Sequence, residues 1–123
     1  MNGRSFLVDT NIALYLLSGN TTIAEILNGS QLYISFVTQL ELLGYKGITS
    51  KELTSVKLFL NDCIIIDINE EIKKHTAAIK QKHQLKLPDS IIAATSLFME
   101  IPLLTADKGF QRISQLNLAL FEE

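Results

Sequence analysis

Short apolar runs that alternate with stretches of helical periodicity constrain this chain more than any other feature. Residues 5–8 ("SFLV"), 31–36 ("QLYISF"), 63–68 ("CIIIDI") and 101–107 ("IPLLTAD") read as strands, the third rich in β-branched residues. "LALF" at 118–121 reads as a further, edge strand. Helices are expected from Thr10 to Leu17, from Thr21 or Thr22 to Leu27, and over "TQLELLGY", where Thr38 and Glu41 have capping-box spacing. Others are expected from Ser50 with Glu52 in its opening turn, from Asn69 to His83, and over "LPDSIIAATSLFME", which has Pro at its entrance. "KGFQRI" is a short helix or turn. Strands alternating with helices pair in parallel through right-handed crossovers. The expected fold is α/β, a three-layer sandwich with a central, mostly parallel sheet of four or five strands flanked by helices.

At 123 residues the chain reads as one domain, 1–123, able to bury roughly two thirds of its unfolded surface. Its 47% hydrophobic content excludes a disordered segment, and no repeat is visible. The single cysteine, Cys63, rules out an intrachain disulfide and reads as a core thiol in a reducing compartment. No apolar run approaches the roughly 18 residues that span a bilayer, and Asp9 and Asn11 interrupt the one candidate signal-peptide core. No membrane association and a cytoplasmic location are expected.

The formal charge of -2 disfavours a simple electrostatic nucleic-acid binder. Charge is nevertheless uneven: Lys73, Lys74, Lys80, Lys82 and Lys86, with His75 and His83, form a stretch free of acids. That stretch is either the solvated face of a helix or a phosphate-facing patch.

The acids carry the chemistry. In a parallel sheet the carboxyl ends of the strands share one edge, and the N-termini of the following helices open on it. Asp9 follows the first strand, Glu41 is expected in the first turn of the helix after the second, Asp89 begins the helix before the fourth, and Asp107 follows the fourth. They are 32, 48 and 18 residues apart, yet all four belong to one rim. Each alone has an ordinary structural role as an N-cap, a capping-box partner or a first-turn acid. Together they repel: two carboxylates about 6 Å apart cost roughly 3 kcal/mol at an effective dielectric near 20. Raised pKa values or a divalent cation must relieve this. Oxygen-only ligands select hard cations, so Mg²⁺ or Mn²⁺ fits better than zinc. Phosphodiester hydrolysis is the reaction that such an ion serves.

At these residues the sequence resembles a known family. "FLVDTNI", the acid of "TQLELLG", "KLPDSIIAATSL" and "LLTADKGF" resemble the PIN-domain nucleases, and their order and the chain length look like a VapC-type toxin of a toxin-antitoxin pair. The resemblance covers almost the whole chain. It implies a PIN-like fold and a Mg²⁺- or Mn²⁺-dependent endoribonuclease acting on RNA, often a homodimer, held in check by a small antitoxin protein. It also implies that Asp9, Glu41, Asp89 and Asp107 are the catalytic, metal-coordinating acids. Asn11 and Thr105 then match positions that orient those acids, with Thr10 beside them. Lys86 and Lys108, which adjoin Asp89 and Asp107, are candidates for contact with the RNA backbone. His75 and His83 are assigned surface or packing roles.

The same residues argue against three rival readings. An aspartyl-phosphate phosphatase of the haloacid-dehalogenase type needs a second acid two residues after the first, where this chain has Asn11. A receiver-like phosphoacceptor needs paired acids at the first strand, which are absent. A PIN-like domain that binds RNA or protein without cutting has no need of four acids.

Overall fold

The computed structural model describes residues 4–122. The elements run β1 (Ser5–Val8), α1 (Thr10–Leu17), α2 (Thr21–Leu27), β2 (Gln31–Ser35), α3 (Phe36–Leu43), α4 (Ser50–Asn61), β3 (Ile64–Ile66), α5 (Glu70–Lys82), α6 (Leu87–Met99), β4 (Leu103–Thr105), a 3₁₀ turn (Lys108–Arg112) and β5 (Leu118–Leu120). The strands form one sheet in the order β3-β2-β1-β4-β5, and every neighbouring pair is parallel. The expected α/β sandwich is therefore present with five strands, and "LALF" does form an edge strand. No helix among the described residues is long and apolar enough to cross a membrane.

The period-two alternation of the strands divides the core into two layers. Phe6 and Val8 of β1, Ile34 of β2 and Leu104 of β4 face Ile12 of α1, Ile23 of α2, Leu42 of α3 and Val56 of α4. Leu7 of β1 and Leu103 of β4 face the opposite way, against Ile72 and Ile79 of α5, Ile92 of α6 and Phe110. Leu7, Val8, Ile12, Ile34 and Leu103 are wholly buried, each a gain of roughly 1.5–3 kcal/mol over exposure. Helix α6 buries a run of small residues, Ser90, Ala93, Ala94 and Ser96, in the core. Its buried hydroxyls are satisfied locally, Ser90 donating to the Lys86 carbonyl, Thr95 to that of Ile91 and Ser96 to that of Ile101.

Several helix starts differ from the expectation. Strand β2 ends at Ser35, whose hydroxyl accepts from the Val37 N–H at 3.1 Å and caps a helix that begins two residues before Thr38. Thr38 and Glu41 are thus no capping box, and Glu41 lies in the second turn of α3 rather than the first. The real capping box is Thr49 with Glu52, each side chain receiving the other's backbone N–H at 3.0–3.1 Å. Helix α2 is capped by Asn20 rather than by a threonine.

Candidate active site

Strand β1 lies at the centre of the sheet, with β2 and β3 laid down on one side of it and β4 and β5 on the other. The carboxyl ends of β1 and β4 therefore flank a topological switch point, the crevice where open parallel sheets bind ligands.

Asp9 is the first residue past β1. Its extended backbone makes it the N-cap of α1: Oδ1 accepts from the Ile12 N–H at 2.9 Å. Oδ2 accepts from the hydroxyl of Thr105, the last residue of β4. Asp9 is only 4% exposed. Thr105 is wholly buried and also accepts from the Asp107 N–H at 3.0 Å, so one hydroxyl joins the two acids that follow the two central strands. Asp107 caps the 3₁₀ turn, its Oδ1 accepting from the Gly109 N–H at 2.8 Å. The cap and active-site readings of Asp9 and Asp107 do not compete, because each oxygen of a carboxylate keeps a lone pair after accepting one bond.

Asp89 is the third residue of α6, just behind Pro88, and is half-buried. Glu41 is exposed on α3, but it is not free: the Thr10 hydroxyl donates to its Oε1 at 2.6 Å. Thr10 has one proton to give, so the hydroxyl of Thr38, 3.0 Å away and wholly buried, donates to Thr10 in turn. The chain Thr38 to Thr10 to Glu41 ties α3 to the start of α1.

Electrostatics join these positions into one cluster. Burial raises the Asp9 pKa first of all, the bonds from Thr105 and Ile12 oppose this, and repulsion from Asp89 and Asp107 adds to it. Burial likewise raises Asp89, followed by repulsion from Asp107 and from Glu41, while the Lys86 ammonium works against the rise. Asp89 thus feels all three of the other acids. As placed, no three acidic, histidine or cysteine side chains among the described residues close round a single point as a metal cage would. The cluster is an open rim of oxygen donors with excess negative charge. That donor set fits a hard divalent ion that keeps several waters and takes only one or two carboxylates directly. It does not fit zinc.

The other expected residues fall out unevenly. Asn11 is exposed in the first turn of α1, with no side-chain hydrogen bond among the described residues. Lys86 is exposed at the N-cap of α6, and Lys108 is exposed beside Asp107, its Nζ 4.0 Å from Glu122 Oε1. His75 and His83 are half-buried on α5 and at its C-cap. Burial pushes the Cys63 thiol up to about 11, which makes it a poor nucleophile at neutral pH.

Two supporting residues escaped the sequence reading. Thr38 is one: its spacing of three from Glu41 suits a cap equally well, yet it places both on one helix face. Gly109 is the second: a Cβ there would lie 3.0 Å from Asp107 Oδ1, so the glycine leaves room for that carboxylate. The "DKG" triplet was its only local sign.

Comparison with known proteins supplies the remaining findings. The PIN domain family model matches residues 6–116. A toxin-antitoxin complex from Klebsiella pneumoniae contains a chain 31% identical, with a TM-score of 0.82 over 95% of this chain and 98% of that one. VapBC-1 from nontypeable Haemophilus influenzae is 28% identical with a TM-score of 0.80, covering 94% and 97% of the two chains. VapBC2 from Rickettsia felis, bound to a DNA fragment from its promoter, shares the fold at 21% identity, with a TM-score of 0.80 over 96% and 99%. No curated protein sequence matches the chain.

Proposed function

Because the chain belongs to the PIN domain family, we propose that it is a metal-dependent endoribonuclease, the VapC-type toxin of a toxin-antitoxin pair acting in the cytoplasm. The observation that carries the reading is Asp9: a carboxylate buried at the switch point, fixed through both oxygens and repelled by Asp89 and Asp107.

Asp9, Glu41, Asp89 and Asp107 are the residues that would hold Mg²⁺ or Mn²⁺. When bound there, the ion would supply Lewis acidity toward a phosphoryl oxygen and a water of lowered pKa. The chain's own contribution is orientation. Thr105 holds Asp9 and the Asp107 backbone in one register, so the acids after β1 and β4 keep a fixed separation. Thr10 holds Glu41 toward the start of α1. Lys86 sits close enough to Asp89 to lower its pKa and supplies positive charge for RNA phosphates in a chain of net charge -2, while Lys108, exposed beside Asp107, is placed to touch the RNA that lies there. Asn11, exposed at the same rim, is assigned to the bound RNA or to solvent at the ion. The expected products carry 5′-phosphate and 3′-hydroxyl ends.

The partners proposed are RNA, a small antitoxin and a second copy of the chain. The antitoxin follows from likeness to toxin-antitoxin assemblies. Purified protein incubated with structured RNA in Mg²⁺, in Mn²⁺ and in chelator tests the activity. Cleavage should require the ion and vanish in Asp9→Asn and Asp89→Asn; undiminished cleavage by both variants would refute the assignment. Expression alone should arrest growth, and a small protein encoded beside it should restore growth.

A further inference from the structure

Beside Asp107 the surface dips into a recess of about 340 Å³ lined by Tyr15, Ala106, Lys108, Phe121 and Glu122. That volume is at the lower end of small-ligand pockets, roughly 300–1,000 Å³. Its apolar part is aromatic: half-buried Tyr15 leans on buried Phe121, their ring centroids 6.1 Å apart and inclined at 60°. Its polar part carries opposite charges, with Lys108 Nζ 4.0 Å from Glu122 Oε1 and the two side chains 72% and 65% exposed. A pair so long and so wet adds little to stability, and both groups can turn to a ligand.

The lining selects its occupant. Aromatic side chains favour a flat ring. Lys108 offers only donors and Glu122 only acceptors, so the ring must present acceptors and donors side by side. A bare phosphate is repelled by Glu122, and an apolar ligand leaves both charges unanswered. Guanine meets every term: its N1–H and N2 amine face a carboxylate with two adjacent donors, and O6, next to N1, accepts from an ammonium. Uracil and cytosine lack the paired donors, and adenine lacks O6.

The recess also lies where a strand would reach it. Lys108 and Ala106, which line it, flank Asp107 in sequence, so the recess adjoins the acid cluster within a nucleotide's reach of a phosphate held there. Resting on the endoribonuclease reading above, we propose that the recess holds an unstacked guanine next to the scissile phosphate, with Glu122 reading its N1–H and N2 amine and Lys108 its O6.

The test uses short RNA oligonucleotides whose cut site has been mapped with Mg²⁺, and reads binding by fluorescence anisotropy with the protein in chelator. The guanosine beside the cut is replaced by inosine, by adenosine or by an abasic residue. Against wild-type protein the abasic residue should weaken binding roughly tenfold and inosine severalfold. Glu122→Gln should erase the difference between guanosine and inosine while leaving penalties at other positions intact. Both rim residues are exposed, so Glu122→Gln and Lys108→Met should retain the wild-type circular dichroism spectrum. Equal binding of guanosine and inosine by wild type would overturn the proposal. So would a Lys108→Met variant that weakens every oligonucleotide, abasic ones included, by one factor, which makes Lys108 a backbone contact. Absence of any Mg²⁺-dependent cut at the mapping step overturns the ribonuclease reading itself, whereas cleavage accompanied by binding without base preference overturns the recess alone.

Discussion

Thr105 donates its hydroxyl proton to Asp9 Oδ2 across 96 residues of sequence, in a contact closed to solvent. Losing it leaves a buried carboxylate oxygen without its donor, at a cost of about 1–3 kcal/mol. Thr105→Val should therefore destabilise the metal-free protein by that amount in urea unfolding and lower RNA cleavage at least tenfold. Thr105→Ser, which keeps the hydroxyl, should recover most of both. Equal loss in the two variants would trace the effect to packing.

A second prediction concerns pH. The Asp9 and Asp89 pKa values are raised in the folded chain, chiefly by burial. Between the unfolded carboxylate value near 4 and these raised values, the native state holds more protons than the unfolded state. Stability in chelator should therefore be greatest below pH 4 as far as these two groups are concerned, and fall as pH rises through their folded pKa values. Asp9→Asn should flatten that slope, and added Mg²⁺ should offset it by binding only the native state. Thermal melts from pH 4 to 8, with and without the ion, measure both. A slope that rises with pH and is unchanged in the variant would contradict the assignment.

The loop that delivers Lys86 and Asp89 is held by two cations from different elements. Arg112 Nη1 donates to the Gln84 carbonyl at 3.1 Å, and Lys80 Nζ donates to that of Leu85 at 2.7 Å. Arg112 belongs to the turn capped by Asp107, so its bond couples the settings of two acids. Arg112→Ala should cost less than about 1 kcal/mol in global stability, because the bond is exposed. It should instead speed hydrogen exchange in residues 84–90 and reduce cleavage severalfold, with Arg112→Lys intermediate. Unchanged exchange in that segment would remove the coupling.

The C-cap of α6 stores strain. Glu100 adopts φ 55°, in the left-handed region, and puts a negative charge at a helix C-terminus. Glu100→Gly should stabilise the protein by about 0.5–1 kcal/mol, a rise of a few degrees in Tm, without altering cleavage. A fall in Tm would mean that the side chain has an undetected role.

The sequence made the sheet legible because strand identity rests on local composition: Phe6, Leu7 and Val8, and likewise Leu103 and Leu104, are consecutive apolar residues, as in strands covered on both faces. Bringing four acids to one rim needed only the parallel rule and the position of each acid relative to its strand. The start of α3 was misplaced because Ser35 and Thr38 are both competent caps, and only the end of β2 decides between them. The Thr38–Thr10–Glu41 chain and the Thr105 bridge were beyond reach for a different reason. Their partners are 28 to 96 residues apart, and a hydroxyl in sequence gives no sign of where its proton goes.

The strand order has a consequence for biosynthesis. Strand β1 is the first to leave the ribosome, but its neighbour on the Asp107 side is among the last, so the crevice has only one wall until residues beyond 105 have emerged. A nascent or prematurely terminated chain therefore lacks Asp107 and one wall of the crevice, and the acid cluster assembles only when the polypeptide is nearly finished.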